Sequence, residues 1–381
     1  MANTINQILE SWSNGNNVLL YGPPGTGKTR ILSKLFHELQ KPTSDPKASI
    51  IDSASTMALP LIRPKKEIPI PMPAKVVWTT FHQSYTYEDF VLGLKPSTEN
   101  GSMRLEPWAG VLLDAALELA DVNSRYESVV LFIDEINRGN AARIFGEFMT
   151  FLDFDYRAEG AFPLPVPLRQ LAYTNNQSEE IHRPNGGTTR IDKDFLFPKN
   201  IYIVATMNSV DRAAVPIDSA LARRFDRIHL KPSEQALVQY WSIPFPPKDK
   251  KPDNYSAHEC SVSIFNRLND AIASELGPEF ELGHGLFMAL KPKSRDIENS
   301  WIQLAKTWDE NIFPQLEDRF SGRPDVMIDL LKANNPPAGG EYAWKIRENS
   351  IQIDMPSTLA PVSVSELDHD TIIRSFRWLA K

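Results

Sequence analysis

Apolar positions Ile5, Ile8, Leu9 and Trp12 recur on one side of residues 3–12 and predict a short amphipathic helix. The unbroken run Val18-Leu19-Leu20-Tyr21 predicts a buried strand. From Thr29 to Leu39 the spacing turns helical again, with Ile31, Leu32, Leu35, Phe36 and Leu39 on one side. A second strand is expected over Val76–Phe81. A helix follows over Trp108–Leu119, with Val111, Leu112, Ala115, Ala116 and Leu119 inward. Ser128–Glu135 reads as an apolar strand that ends in two acids, and Ala141–Leu152 as a helix. Asn200–Asn208 is a further apolar strand, ending in an amide. Strands alternating with helices predict an α/β fold with a parallel sheet and helices on both faces. Ligands of such sheets sit at the C-terminal ends of the strands.

Two stretches interrupt this pattern. Residues 41–74 hold Pro42, Pro46, Pro60, Pro64, Pro69, Pro71 and Pro73, which disfavour helix and central strand. They read as a long surface loop, with one short strand over Ser49-Ile50-Ile51 and a solvated basic cluster at Arg63-Pro64-Lys65-Lys66. Residues 153–199 form a polar insertion rich in turn residues, expected to be a protruding hairpin. From about Ser233 helical segments take over: Glu234–Trp241, Ser261–Leu276, Asp296–Phe313 and Val326–Lys332. No strand of comparable strength follows until Ser350–Ile353. The expected division is therefore residues 1–232, an α/β nucleotide-binding domain, and residues 233–381, a smaller, mainly helical domain with a C-terminal extension.

The turn between the first strand and the second helix carries the most specific chemistry. Gly22-Pro23-Pro24-Gly25-Thr26-Gly27-Lys28-Thr29 has the phosphate-loop spacing G-x-x-x-x-G-K-[ST]. Glycines let backbone N–H groups turn toward an anion, and the helix N-terminus adds partial positive charge. Lys28 is placed to reach the β- and γ-phosphates of a nucleotide, and the Thr29 hydroxyl to ligate Mg²⁺. Asp134, about a hundred residues on, is the second expected Mg²⁺ residue, acting through water. Glu135 is the candidate to polarise an attacking water, and Asn208 to hydrogen-bond that water or the γ-phosphate. Arg223 and Arg224 are candidates for arginine fingers that act on a neighbouring subunit's γ-phosphate, which requires an oligomer.

Net charge is −7 and the pI about 5.6, against a broad nucleic-acid surface but not against a local basic groove. The single cysteine, Cys260, excludes an internal disulfide and shows no metal-site spacing. With a polar N-terminus and no long apolar run, the expectation is a reducing, cytoplasmic setting.

GPPGTGKT, LFIDEINR and ARRFD together resemble an AAA+ ATPase module. The stretches Phe81–Phe90, Asp134–Asn140, Thr206–Arg212, Leu276-Gly277-Pro278 and Leu282–Gly285 are similar to motifs of the McrB restriction GTPases, over roughly residues 10–320. The resemblance implies an AAA+ sheet followed by a helical lid. It also implies a hexameric, magnesium-dependent motor that works with an McrC-like nuclease partner on DNA in antiviral defence. It assigns Asn137 to relaying the partner's stimulation of hydrolysis, and Arg223 and Arg224 to the adjacent subunit. GTP is the implied substrate, with ATP the alternative. Asp211 lies too near Asn208 to reach the base, which is expected to meet groups near Asn16, Asn17 and the second domain. His284 reads equally as a packing residue at a helix start or a nucleotide contact from the second domain, and Arg295 reads as an exposed arginine, with a phosphate sensor the alternative. The family's MNTADRS motif is altered here, with Ser209-Val210 inside it and Ala213 after Arg212. The rival reading is a MoxR-like AAA+ ATPase that remodels proteins, or a nucleotide-gated regulatory subunit.

Overall fold

The structure is a computed structural model that describes residues 2–40, 68–99, 102–168, 171, 178–210, 215–244, 250–292, 297–347 and 358–381. The expected strands Ser49–Ile51 and Ser350–Ile353, the cluster Arg63–Lys66, and Asp211, Arg212, Ala213 and Arg295 lie outside these residues.

In the first compact unit, residues 1–21 and 28–229, helix α1 (Ala2–Ser13) leads into β1 (Asn17–Gly22) and α2 (Lys28–Leu39). Then come β2 (Ala74–Thr80), a short α3 (Tyr87–Phe90), β3 (Leu92–Glu99), β4 (Ser102–Ala109) and α4 (Val111–Ala120). β5 (Ser128–Asp134) is followed by α5 (Ala141–Phe145), a 3-10 stretch Gly146–Leu152, β6 (Ser178–His182) and β7 (Thr188–Asp192). β8 (Ile201–Asn208), α6 (Ser219–Ala222) and β9 (Phe225–His229) complete the unit. The main sheet has the order β2-β5-β8-β1-β9. β2 with β5, β5 with β8, and β1 with β9 pair in parallel. The first six residues of β5 and of β8 are buried, as strands covered on both faces must be.

A second sheet, β3-β4-β6-β7, was only half legible in the pattern. The expected hairpin within 153–199 is present as β6–β7, but it pairs through Trp108 and His182 with a β3–β4 hairpin that the periodicity did not show. Trp108 therefore belongs to β4, and its indole stacks on His182 at 5.0 Å. The helix expected to start there starts instead at Val111. Gly110 marks the switch: a Cβ at that position would lie 2.4 Å from the Phe90 backbone. The helix expected over Ala141–Leu152 likewise changes to 3-10 winding at Gly146, whose φ is +51°. The insertion is also less polar at its base than its composition implies, since Val166, Leu168 and Phe197 are buried in the core.

Arg157 closes that base. It is fully buried, and its guanidinium donates to the carbonyls of Phe151 (2.6 Å), Leu152 (3.2 Å), Lys199 (3.2 Å) and Ile201 (2.5 Å). It lies 3.7 Å from the centre of the Phe154 ring. Leu152 O also accepts from Asn17 Nδ2, while Asn17 Oδ1 accepts from Ile203 N, so one network ties the starts of β1 and β8 together.

The second unit comprises residues 22–27 and 230–381. It is mainly helical, with α7 (Glu234–Trp241), α8 (Ala257–Glu275), α9 (Ile297–Thr307), α10 (Phe313–Arg319), α11 (Pro324–Leu330) and α12 (His369–Leu379). β10 (Ile346–Arg347) and β11 (Thr358–Leu359) form a minimal antiparallel pair between α11 and α12. A capping box between Ser256 and Glu259 starts α8, and Trp308, Trp344 and Phe376 centre its core.

Arg157→Met takes the guanidinium donor from four carbonyls, of which Leu152 O keeps its bond from Asn17, and is expected to cost the first unit about 3 kcal/mol or more in a denaturant melt. A loss below about 1 kcal/mol would show that the network does not hold the sheet.

Candidate nucleotide site

Three chain segments of the first unit converge at the C-terminal ends of its strands. Lys28 and Thr29 open α2, Asp134 ends β5 with Glu135 immediately after it, and Asn208 ends β8. The register of β5 with β8 pairs Ile133 with Ala205, so the next residue on each strand, Asp134 and Thr206, come side by side. The Thr206 hydroxyl donates to Asp134 Oδ1 and accepts from Glu135 N–H at 3.0 Å. Glu135 sits at φ +54°, a left-handed conformation that a non-glycine residue holds only when its surroundings impose it.

Among the described residues, Arg138 and Asn208 direct N–H groups at the Glu135 carboxylate. Arg138 Nε lies 2.8 Å from Oε2, and Asn208 Nδ2 donates to Oε1 at 3.4 Å. Asn137, on the same turn as Arg138, is buried and donates to Asn208 O at 3.0 Å, while its Oδ1 is buried with no hydrogen-bond partner among the described residues. Asn137, Asn208, Arg223 and Arg227 line a cleft of about 770 Å³.

Lys28 is 8% exposed. Burial pulls its ammonium down to about 8, against the opposing pull of Asp134 and Glu135. A cation held dry beside two carboxylates is prepared for a further anion, such as a phosphate chain. Thr29 and Asp134 offer only oxygen donors, the set a hard cation such as Mg²⁺ prefers. Among the described residues no group of three or more His, Cys, Asp or Glu side chains could hold a metal alone. Such a cation would complete its shell with water or phosphate oxygens.

The loop Gly22–Gly27 belongs to the second compact unit. Gly25 and Gly27 have φ values of +80° and +86°, as an anion-cradling loop requires, and Thr26 Oγ1 donates to Pro23 O at 2.9 Å. Gly285 N–H donates to Gly25 O at 2.7 Å, and a Cβ on Gly283 would lie 2.1 Å from Pro24 O. Leu282–Gly285 is thus a backbone support for the loop. His284, between those glycines, is buried.

The two arginines are not brought to Glu135. Phe225 pairs with Asn17 at the starts of β9 and β1, so Arg223 and Arg224 precede the opposite end of these strands from the loop that follows β1. Strands of this length separate the two ends by roughly 15 Å. Arg223 reaches the 770 Å³ cleft. Arg224 lines a separate cavity of about 200 Å³ with Gly15, Asn16 and Asp226. Its Nη1 donates to Ala220 O at 2.6 Å, and its Nε is buried with no hydrogen-bond partner among the described residues. The expected base contacts at Asn16 and Asn17 are not supported. Asn17 is buried and committed to Leu152 and Ile203, and Asn16 Nδ2 donates to Asp226 at that same far end.

Thr206 and Arg138 were not singled out in the sequence. Their signals were a hydroxyl two residues before the strand-end amide, and a basic residue one turn beyond Glu135.

A parallel sheet with a phosphate loop after one strand, an acidic pair after another and a polar end on a third defines an NTP-hydrolysing enzyme of the AAA+ class. Residues 70–225 match the AAA domain of the dynein-related subfamily. Residues 261–327 match the α-helical lid domain of McrB, and the chain is an McrB-like AAA+ protein. It is 29% identical over 324 residues to the type IV methyl-directed restriction enzyme EcoKMcrB subunit of Escherichia coli (strain K12), covering 84% of this chain and 57% of that one. It is 24% identical over 355 residues to the type II restriction enzyme BsuMI component YdiS of Bacillus subtilis (strain 168), covering 84% and 82%. The chain thus spans little more than half the length of the first relative.

In the free protein Lys28 loses its proton near pH 8, whereas a bound polyphosphate favours the charged form and moves that loss back toward the ordinary 10.5, which opens a window between the two. Triphosphate affinity is therefore expected to fall as pH rises through that window, by up to ~tenfold per unit. Lys28→Met is expected to lower affinity at pH 7.5 and to abolish the slope. Titration with a fluorescent nucleotide analogue checks both, and a pH-independent wild-type affinity would contradict the assignment.

Proposed function

We propose that the chain is the nucleotide-driven motor of a DNA restriction system, hydrolysing GTP in preference to ATP. The observation that carries the hydrolytic reading is the junction of β5 and β8, where Thr206 holds Asp134 and Glu135 beside Asn208. In this reading Gly22–Gly27 and Lys28 hold the phosphates, and Thr29 and Asp134 hold Mg²⁺, which neutralises charge on them when bound. Glu135 polarises the attacking water, and Asn208 orients it. No step requires covalent attachment to the protein.

The same reading makes the active enzyme a ring, with a hexamer as the expected size. Arg223 and Arg224 precede the far end of their strands from the phosphate loop, as residues serving a neighbouring copy would. A trans arginine of this kind is worth about 10³–10⁵ in turnover in related phosphoryl-transfer enzymes. The names of both relatives support a restriction role. A nuclease subunit of the McrC kind is the proposed partner, with DNA engaged through the complex. Among the described residues no helix is long and apolar enough to cross a membrane, and we place the complex in the cytoplasm.

Phosphate release from GTP and ATP, measured side by side with and without DNA, tests the substrate and the setting. Higher turnover with GTP and stimulation by DNA are expected; stimulation by a protein substrate alone would favour a remodelling ATPase. Glu135→Gln is expected to keep nucleotide affinity within about threefold while turnover falls by ~100-fold or more. Wild-type turnover in that variant would remove Glu135 from the chemistry. Mixing Arg224→Ala with Glu135→Gln chains is expected to restore part of the activity, because some interfaces then hold an intact glutamate and an intact arginine. Complete lack of rescue would overturn the trans assignment.

A further inference from the structure

The last helix of the second unit gathers cations along one side. Arg374, Arg377 and Trp378 of α12 and Lys381 just beyond it follow the spacing i, i+3, i+4, i+7, and all four line one cavity of about 490 Å³. At 1.5 Å per residue the row is about 10 Å long. Lys332, after α11, joins it from the side. Its Nζ donates to Trp378 O at 3.3 Å and lies 5.8 Å from the indole centre, while Lys381 Nζ lies 4.8 Å from that centre. Gly340 leaves the space that Arg374 fills, since a Cβ there would lie 1.9 Å from Arg374 Nη1.

Acids do not match these four cations. Two carboxylates line the cavity, and Asp253 is already taken by Lys381 at 2.8 Å. The other is Asp370, which is exposed. Arg374 donates to Glu341 O at 3.3 Å and Arg377 to Tyr255 O at 3.2 Å. Among the described residues neither guanidinium forms an ion pair with a carboxylate, and each has five N–H groups to offer. Burial, followed by the charges of Arg267 and Lys381, pulls the Lys332 ammonium below its ordinary value. In a chain of net charge −7, a concave surface with an excess of positive charge is held at a cost that a bound anion removes.

The shape of the row selects the anion. Guanidiniums present a fork that fits phosphate oxygens. Cations spread over about 10 Å meet a chain of anions better than a single one. A positive groove with an aromatic side chain in it is the surface that tracks a single nucleic-acid strand. We propose that this cavity binds the phosphodiester backbone of a DNA strand through Arg374, Arg377 and Lys381. The site gives the DNA of the restriction reading a contact on this chain, and it rests on that reading for the identity of the polymer.

Fluorescence anisotropy of a labelled single-stranded oligonucleotide of about 20 residues, titrated with the full chain between about 50 and 200 mM salt, tests the proposal. The double variant Arg374→Gln, Lys381→Gln is expected to bind ~tenfold or more weakly at the lower salt. Its log–log salt slope is expected to flatten by about one or more, as two phosphate contacts are lost. Lys306→Gln, which removes an exposed charge of α9 outside the cavity, is expected to stay within about twofold of wild type. Hydrolysis without DNA is expected to be unchanged in all of them. If the double variant does not fold, Lys381→Gln alone, at an exposed position, is expected to weaken binding by about threefold. Wild-type affinity and slope in a folded variant would overturn the site, as would undetectable binding by the wild-type chain at about 50 mM salt. Displacement of the oligonucleotide by polyglutamate as effectively as by unlabelled DNA would also overturn it, in favour of an acidic protein partner. A wild-type chain whose hydrolysis ignores DNA would instead count against the restriction reading, whereas stimulation by DNA that persists unchanged in the double variant would count against this site alone.

Discussion

One hydroxyl makes the end of β5 a site rather than a strand terminus. Thr206 donates to Asp134 and accepts from the Glu135 N–H, so a single side chain fixes both acids from the neighbouring strand. The geometry depends on parallel pairing in a register that brings Thr206 beside Asp134. A one-residue slip would turn the hydroxyl to the other face and release the Asp134 carboxylate and the Glu135 backbone N–H. The chain must also leave β5 through a left-handed residue, and that residue is Glu135. A glutamate at φ +54° is held there by the bond to its N–H and by the turn that follows.

The buried positive charge follows from the same arrangement. Lys28 is desolvated at the start of α2, and its charged form is retained partly by the two acids. An exposed lysine there would meet a phosphate at little gain, because water would already have neutralised much of its field. Burial makes the ammonium reactive toward anions and makes its protonation a function of what is bound. The acids and the lysine thus share the C-terminal end of the strands, while Arg157, Asn17 and Leu152 lock the opposite end. Arg224 precedes that locked end.

The phosphate loop, the acidic strand end and Asn208 were legible because each depends on local spacing and on an apolar run fully buried in a sheet. The α/β alternation gave the main strands for the same reason. The second sheet was not legible. β3 and β4 carry exposed side chains on both faces along much of their length, so no period of two stands out, and Trp108 continues in phase into the helical pattern of α4. Arg157 was invisible because a buried arginine satisfied by carbonyls leaves no partner acid in the sequence. Asn17 was misread for a related reason: its position before the loop suggested the base, whereas its amide is spent on Leu152 and Ile203. Thr206 lies in an otherwise apolar run, and only the register reveals what its hydroxyl meets.

The most direct test is turnover by Thr206→Val and Thr206→Ser at saturating nucleotide. If one hydroxyl organises the acids, the serine enzyme stays within about threefold of wild type. The valine enzyme, nearly isosteric, loses ~100-fold or more in kcat while binding nucleotide within a few fold. A valine variant that is folded and hydrolyses at the wild-type rate would contradict the account.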